Sequence, residues 1–100
     1  MDSDNNQELE KKLAQKKKAI ETIIEMGKFY FLNQKFDEAV AEYKKAIALD
    51  PKCIDAFYNL GITLEAISDQ DGARDAFAKV IELEPGNKGA LEHYDRLVED

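Results

Sequence analysis

The side chains best suited to catalysis are scarce in this sequence. Cys53 is the only cysteine and His93 the only histidine among the 100 residues. Nucleophilic and acid–base catalysis need such groups beside positioned partners, and the sequence around these two residues offers no recognisable partner set. We therefore interpret Cys53 as a partly buried structural thiol and His93 as a surface histidine. The sequence predicts that the protein is not an enzyme.

Metal and phosphate sites are equally hard to find. The stretch Asp69-Gln70-Asp71-Gly72 resembles the start of a calcium loop, but it lacks the twelve-residue ligand pattern and the closing glutamate. The other carboxylates are spread along predicted helices, and no glycine-rich phosphate loop occurs. We expect no metal and no cofactor.

One short region is basic. Five lysines lie within residues 11–18, but residues 1–19 also carry four acidic side chains, and no aromatic residue is interleaved for base stacking. This pattern is typical of a solvated helix face, so we expect neither nucleic acid nor membrane as a partner. The lysines are Lys11, Lys12, Lys16, Lys17 and Lys18.

Composition limits the fold and the location. The chain has 14 basic and 21 acidic residues, a net charge of −7, and 44% hydrophobic residues. A single cysteine forms no internal disulfide, so stability depends on packing. No apolar run is long enough to cross a bilayer, and the N-terminus has neither a basic nor an apolar leader pattern. The expected location is cytoplasmic.

The elements that could position a functional surface follow an internal repeat. Pro51 and Pro85 are 34 positions apart, and the same offset aligns Gly27 with Gly61. Further pairs with this offset are Asp37 and Asp71, Ala39 and Ala73, Tyr43 and Phe77, Lys45 and Lys79, Ile47 and Ile81, and Leu49 and Leu83.

Each repeated unit contains two helical apolar stretches separated by a polar turn. The turns are predicted at residues 33–35 and 68–72, so each unit is a helical hairpin. Glycine costs about 1 kcal/mol inside a helix, which suggests that Gly27 and Gly61 mark close helix crossings. Ala39 and Ala73 are the small residues expected to face them.

This pattern resembles the tetratricopeptide repeat, which reads W-x2-L-G-x2-Y, A-x3-F and P over 34 residues. The matching positions are Ile23, Met26, Gly27, Tyr30, Ala39, Tyr43, Ala46 and Pro51 in the first unit, and Phe57, Leu60, Gly61, Leu64, Ala73, Phe77, Val80 and Pro85 in the second. The resemblance implies an all-α fold of antiparallel helical hairpins stacked as a short right-handed α-solenoid. The two repeats span residues 20–53 and 54–87.

The ends of the chain complete this organisation. Residues 88–100 are expected to form a C-terminal capping helix that begins after Asn87. Residues 1–6 are predicted to be disordered, and residues 7–19 to form an N-terminal helix or an extension of the first repeat helix. The stripe Leu9, Leu13, Ile20, Ile24 and Phe31 has the spacing of a short coiled-coil seam. It favours either packing on the body of the domain or a weak homodimer.

Stacked helical hairpins leave a concave face lined by their first helices, which can bind a peptide or a helix. The family resemblance implies that the groove positions are Glu21, Ile24, Lys28 and Phe31 in the first repeat and Asp55, Tyr58, Asn59, Ile62 and Glu65 in the second. Four of these are large apolar residues, which suggests contact with a ligand. The alternative is that a terminal helix or self-association covers them.

The resemblance also allows the partner class to be narrowed. Co-chaperone members grip a C-terminal carboxylate with Lys, Asn, Lys and Arg where this chain has Ile24, Lys28, Gly89 and His93, and only Asn59 matches that clamp. Residues 20–100 carry 9 basic and 17 acidic side chains, which favours a basic or amphipathic partner. The predicted function is an adaptor or scaffold that binds a protein or peptide. The alternative is a structural protein that homo-oligomerises through its N-terminal helix or apolar groove.

Overall fold

The chain forms five helices within residues 2–99, the part that the computed structural model describes; side chains are described from residue 5. The helices are α1 (Asp2–Leu32), α2 (Phe36–Leu49), α3 (Ile54–Ala66), α4 (Gln70–Leu83) and α5 (Lys88–Val98). Helices α1 and α2 form one antiparallel hairpin and α3 and α4 form the next. Met1 and Asp100 lie outside the described residues.

Helix α1 begins earlier than the sequence predicts. Residues 2–6, expected to be disordered, are its first helical residues, and the helix runs for 31 residues without interruption. Neither glycine nor proline occurs before Gly27. Helix formation propagates from an existing helix at little cost, and no residue between Asp2 and Gly27 is a helix breaker. Helix α1 therefore extends back to Asp2.

The turns inside the two hairpins have the same backbone geometry. Gln34 and Ser68, 34 positions apart, have φ angles of 61° and 63°. In the first turn Lys35 N donates to Tyr30 O at 2.8 Å, and in the second Asp69 N donates to Leu64 O at 2.8 Å. This is a Schellman ending, in which a left-handed residue closes the helix and satisfies its last carbonyls.

The second turn is shorter than predicted because Asp69 starts the next helix. Its Oδ1 atom accepts a hydrogen bond from Gly72 N at 2.9 Å, so α4 begins at Gln70 rather than after Gly72. Lys35 occupies the equivalent position before α2 and makes no side-chain cap. The two hairpins therefore differ in how their second helices are started.

Both recurring glycines lie against an aromatic ring. A Cβ atom at Gly27 would lie 2.5 Å from Cε1 of Tyr43, and one at Gly61 would lie 2.7 Å from Cζ of Phe77. The prediction of a close helix crossing is therefore confirmed, and the nearest side chain at each crossing is an aromatic ring. The small residue makes room for a ring, which fills the space between the paired helices.

The hairpins stack as a short α-solenoid. Helix α2 packs between α1 and α3, and α4 packs between α3 and α5. The molecule measures 60 × 30 × 17 Å, and its long dimension reflects α1, whose first half extends beyond the hairpins. The core runs through the stack and contains Ile20, Ile24, Ala39, Tyr43, Ala46, Ala56, Leu60, Leu64, Ala73, Ala76, Phe77, Val80 and Ala90.

Candidate functional site: the groove between the first helices

A groove lies between α1 and α3, the first helices of the two hairpins. Its volume is about 210 Å³. Lys28, Phe31, Asn59 and Ile62, four of the nine predicted site residues, line it. The remaining lining residues are Leu32, Tyr43 and Thr63. Because the hairpins stack in register, positions in different repeats converge on one surface.

The groove is mainly apolar with a polar edge. Phe31 is half-buried and packs edge-on against Phe36, with ring centroids 5.3 Å apart. Asn59 Nδ2 donates to the backbone oxygen of Asp55 at 2.8 Å, which fixes its orientation. The Lys28 ammonium group is exposed and lies 3.5 Å from Glu25. Such a surface can bury apolar side chains and bind a few polar groups at its edge.

Three other predicted site residues line a second depression, which we call the notch. It lies where α1 passes the connection between α2 and α3, and its volume is about 390 Å³. Its lining residues are Leu13, Lys16, Lys17, Ile20, Glu21, Ile24, Asp50, Cys53 and Asp55.

The structure corrects one expectation at the notch. Ile24, predicted to stand on an open face, is only 7% exposed and belongs to the core. Helix α1 packs mainly against α2, and the connection at residues 50–53 and the start of α3 lie close to Ile24 as well. Glu21 and Asp55, in contrast, are exposed, as predicted for a surface site.

Tyr58 and Glu65, the last two predicted site residues, contact α5. The Tyr58 ring lies edge-on to His93, with centroids 5.9 Å apart, and its hydroxyl group occupies the space that a side chain at Gly89 would fill. Glu65 Oε2 accepts from Arg96 at 3.1 Å. Residues of α5 thus contact both positions, and for Tyr58 this agrees with the alternative that a terminal helix covers an apolar groove residue.

His93 is the main residue that the sequence reasoning misjudged. It was expected on the surface, but its side chain is only 22% exposed, and its ring stacks on Phe77 with centroids 4.6 Å apart and an interplanar angle of 3°. Nδ1 lies 2.7 Å from Oε1 of Glu65, an oxygen that no other described group bonds. Nη2 of Arg96 lies 2.7 Å from the same Nδ1 atom, so Glu65, His93 and Arg96 form one polar cluster between α3 and α5.

The sequence contains a signal for the contact of His93 and Arg96 with Glu65. The 34-residue offset aligns His93 with Asn59 and Arg96 with Ile62, so both fall on groove positions of an incomplete third unit.

The electrostatics of Cys53 agree with a structural thiol. Burial, the largest cause, raises the pKa of the Cys53 thiol, and the nearby carboxylates Asp50 and Asp55 raise it further. A thiol with a raised pKa is mostly protonated near neutral pH and is a poor nucleophile. Within residues 2–99 no group of three His, Cys, Asp or Glu side chains is placed to hold a metal ion. Over the same range no helix is both long enough and apolar enough to span a membrane.

The chain belongs to the tetratricopeptide repeat family. One family model, described as TPR repeat, matches residues 27–68, and a second, described as Tetratricopeptide repeat, matches residues 55–87. A curated relative, the chloroplastic Tetratricopeptide repeat domain-containing protein PYG7 of Arabidopsis thaliana, is 32% identical over 72 residues. These cover 72% of this chain but only 24% of the relative, so the chain spans about a quarter of its length.

Two solved structures show the same architecture. The crystal structure of MamA superposes with a TM-score of 0.77 at 26% identity, covering 79% of this chain and 46% of that one. The second TPR domain of human RPAP3, in complex with the HSP70 peptide SGPTIEEVD, superposes with a TM-score of 0.75 at 27% identity. That match covers 82% of this chain and 68% of the RPAP3 domain.

Proposed function

We propose that this protein is a non-enzymatic adaptor that binds a peptide or helix of another protein in the groove between α1 and α3. The observation that carries the proposal is the convergence of Lys28, Phe31, Asn59 and Ile62 around one apolar groove. The similar RPAP3 domain is in complex with a peptide, which supports peptide binding by a domain of this fold. The cytoplasmic location stays a prediction, whereas the Arabidopsis relative is named as chloroplastic.

The partner segment is basic or amphipathic. Residues 20–100 carry 9 basic against 17 acidic side chains, so the body of the domain attracts positive charge. The positions that form a carboxylate clamp in co-chaperone relatives are also unsuited here. Ile24 is uncharged and buried, and His93 of the capping helix faces the carboxylate of Glu65, so neither position is suited to bind an acidic C-terminus.

The test begins with selection of a random peptide library on the immobilised protein. The enriched peptides should combine lysine or arginine with apolar residues, and the peptide SGPTIEEVD should bind at least about tenfold more weakly than the best of them. Amide chemical shifts on titration should change at Phe31, Asn59 and Ile62. Enrichment of acidic C-terminal peptides, or shift changes confined to another surface, would contradict the proposal.

Lys28 provides a charge test with a matched control. Lys28→Glu should tighten binding of the selected basic peptides by about threefold to tenfold, because it removes a like charge from the groove edge. Lys44→Glu makes the same charge change on the exposed face of α2 and should alter affinity much less. Equal effects of the two substitutions would indicate a non-specific charge effect and count against binding in this groove.

A further inference from the structure

The hairpins leave the first half of α1 exposed to solvent. Every residue from 5 to 19 is exposed, although these residues are helical. An isolated helix of about 12–15 residues is only marginally stable in water. A helix of this length gains most of its stability by packing an apolar face against another element. A packing contact should therefore stabilise this segment.

This segment carries an apolar stripe that continues the core. Leu9 and Leu13 are 55% and 56% exposed, and they precede Ile20 and Ile24 at spacings that place all four on one helix face. Ile20 and Ile24 are buried, whereas the two leucines remain more than half exposed, and Leu13 borders the notch. The stripe thus runs from the core into solvent.

The notch lies at the point where the stripe enters the core. Its apolar floor includes Ile20, Ile24 and Cys53, and Leu13 forms one edge. Its charged lining residues are the acidic Glu21, Asp50 and Asp55 and the basic Lys16 and Lys17. At about 390 Å³ it is large enough to receive leucine side chains from a second helix.

The charges of the two parts of the chain indicate which helix could bind in the notch. Residues 7–19 carry five lysines and two glutamates, a formal charge of +3, while residues 20–100 have a formal charge of −8. The segment is therefore a basic amphipathic helix with leucines on one face, and the notch is apolar with three carboxylates and two lysines around it, a formal charge of −1. Because α1 is one continuous helix, the segment lies beside its own notch and has no turn with which to fold back into it.

We propose that two copies of this chain associate through these segments, with the Leu9–Leu13 stripe of each copy lying antiparallel in the notch of the other. The arrangement is a closed two-fold dimer in which the same surface of both copies is used, so it does not propagate into fibres. The inference is independent of the proposed groove function, since the groove residues Phe31, Asn59 and Ile62 lie outside the notch.

Sedimentation equilibrium of the full chain tests the dimer. The wild type should dimerise with a dissociation constant of about 1–100 µM, and Leu13→Asp should raise this constant at least about tenfold. Leu32→Asp is the matched control, because Leu32 is 80% exposed on another face of α1, and it should leave the constant unchanged. A wild type that stays monomeric to about 1 mM, or a dimer broken by Leu32→Asp but not by Leu13→Asp, overturns the proposal.

Cys53 reports directly on the notch. Its alkylation rate should fall when the protein concentration is raised through the dissociation constant, because a partner helix covers the thiol, and Leu13→Asp should abolish this dependence. A rate independent of concentration in a sample that sedimentation shows to be dimeric would place the contact elsewhere and overturn the proposal. Peptides selected for the groove should bind Leu13→Asp as they bind wild type, which separates this result from any failure of the groove assignment.

Discussion

The two repeats follow the same sequence pattern but differ in how well they are enclosed. Ala56, Leu60 and Thr63 of the second repeat are 0%, 7% and 1% exposed. The equivalent residues of the first repeat are Thr22, which is exposed, Met26 at 42% and Phe29 at 60%. This difference shows that burial at these positions depends on the presence of a neighbouring helix and not on the position within the repeat.

The neighbours explain the difference. The second repeat lies between α2 on one side and α5 on the other. Of the described elements, none packs on the side of α1 that corresponds to the α2-facing side of α3. As in other solenoids, each repeat depends on contact with the next, so we expect the second repeat to be the more stable half.

The largest effect should come from removing a ring in the enclosed repeat. Phe77→Ala should lower the free energy of unfolding by about 3–5 kcal/mol, because Phe77 is fully buried and contacts Tyr58 and His93. Phe29→Ala should change it by about 0.5 kcal/mol or less, since Phe29 is 60% exposed. Urea denaturation followed by circular dichroism compares the two. Similar losses for both variants would refute the difference in enclosure.

Alkaline pH should lower the stability of the first repeat before that of the second. Burial, the largest cause, and the nearby Glu25 raise the pKa of Tyr43 to about 12, whereas the second repeat has Phe77 at the equivalent position. In the unfolded chain tyrosine ionises near pH 10, so the unfolded state loses this proton first and stability falls between about pH 10 and pH 12. Below pH 10 both states keep the proton and this contribution is constant.

Absorbance titration of the phenolate band measures this directly. The wild type should show one tyrosine that ionises near pH 12, and Tyr43→Phe should remove that component. Hydrogen exchange at rising pH should show amides of α1 and α2 losing protection before those of α4. Loss of protection first in α4 would contradict the assignment to Tyr43.

The smallest effects on stability should come from substitutions at the residues that precede α2 and α4. Asp69→Ala should lower the free energy of unfolding by about 1 kcal/mol, because it removes the hydrogen bond to Gly72 N that caps α4. Lys35→Asp should raise it by about 0.5–1 kcal/mol by giving α2 the cap that it lacks. Thermal unfolding of both variants tests the pair, and a stabilising Asp69→Ala would show that the cap is not used.

Much of the fold could be read from the sequence because each helix carries its own signals. The apolar periodicity marks the helices, and the prolines at 51 and 85 follow the second helix of each hairpin closely. The 34-residue offset predicted that equivalent residues occupy equivalent places, and Gly27 against Tyr43 and Gly61 against Phe77 agree with it. These are local or repeated features, which need no knowledge of the whole molecule.

The site was harder to predict because exposure depends on contacts between elements. All nine candidate positions come from the family resemblance, yet only Lys28, Phe31, Asn59 and Ile62 line the groove between α1 and α3. The other five candidates lie outside this groove, because the way in which the helices pack around them is not revealed by the repeat pattern alone.

The sequence by itself determined the family, the helices and the charge of the body, because periodicity, turn residues and composition are properties of the chain. The tertiary structure decided which candidates line the groove. Ile24 is buried in the core, and His93 and Arg96 of α5 contact Tyr58 and Glu65. The physical reason is that a side chain is removed from water by residues distant in sequence, and only the packed chain brings those residues to it.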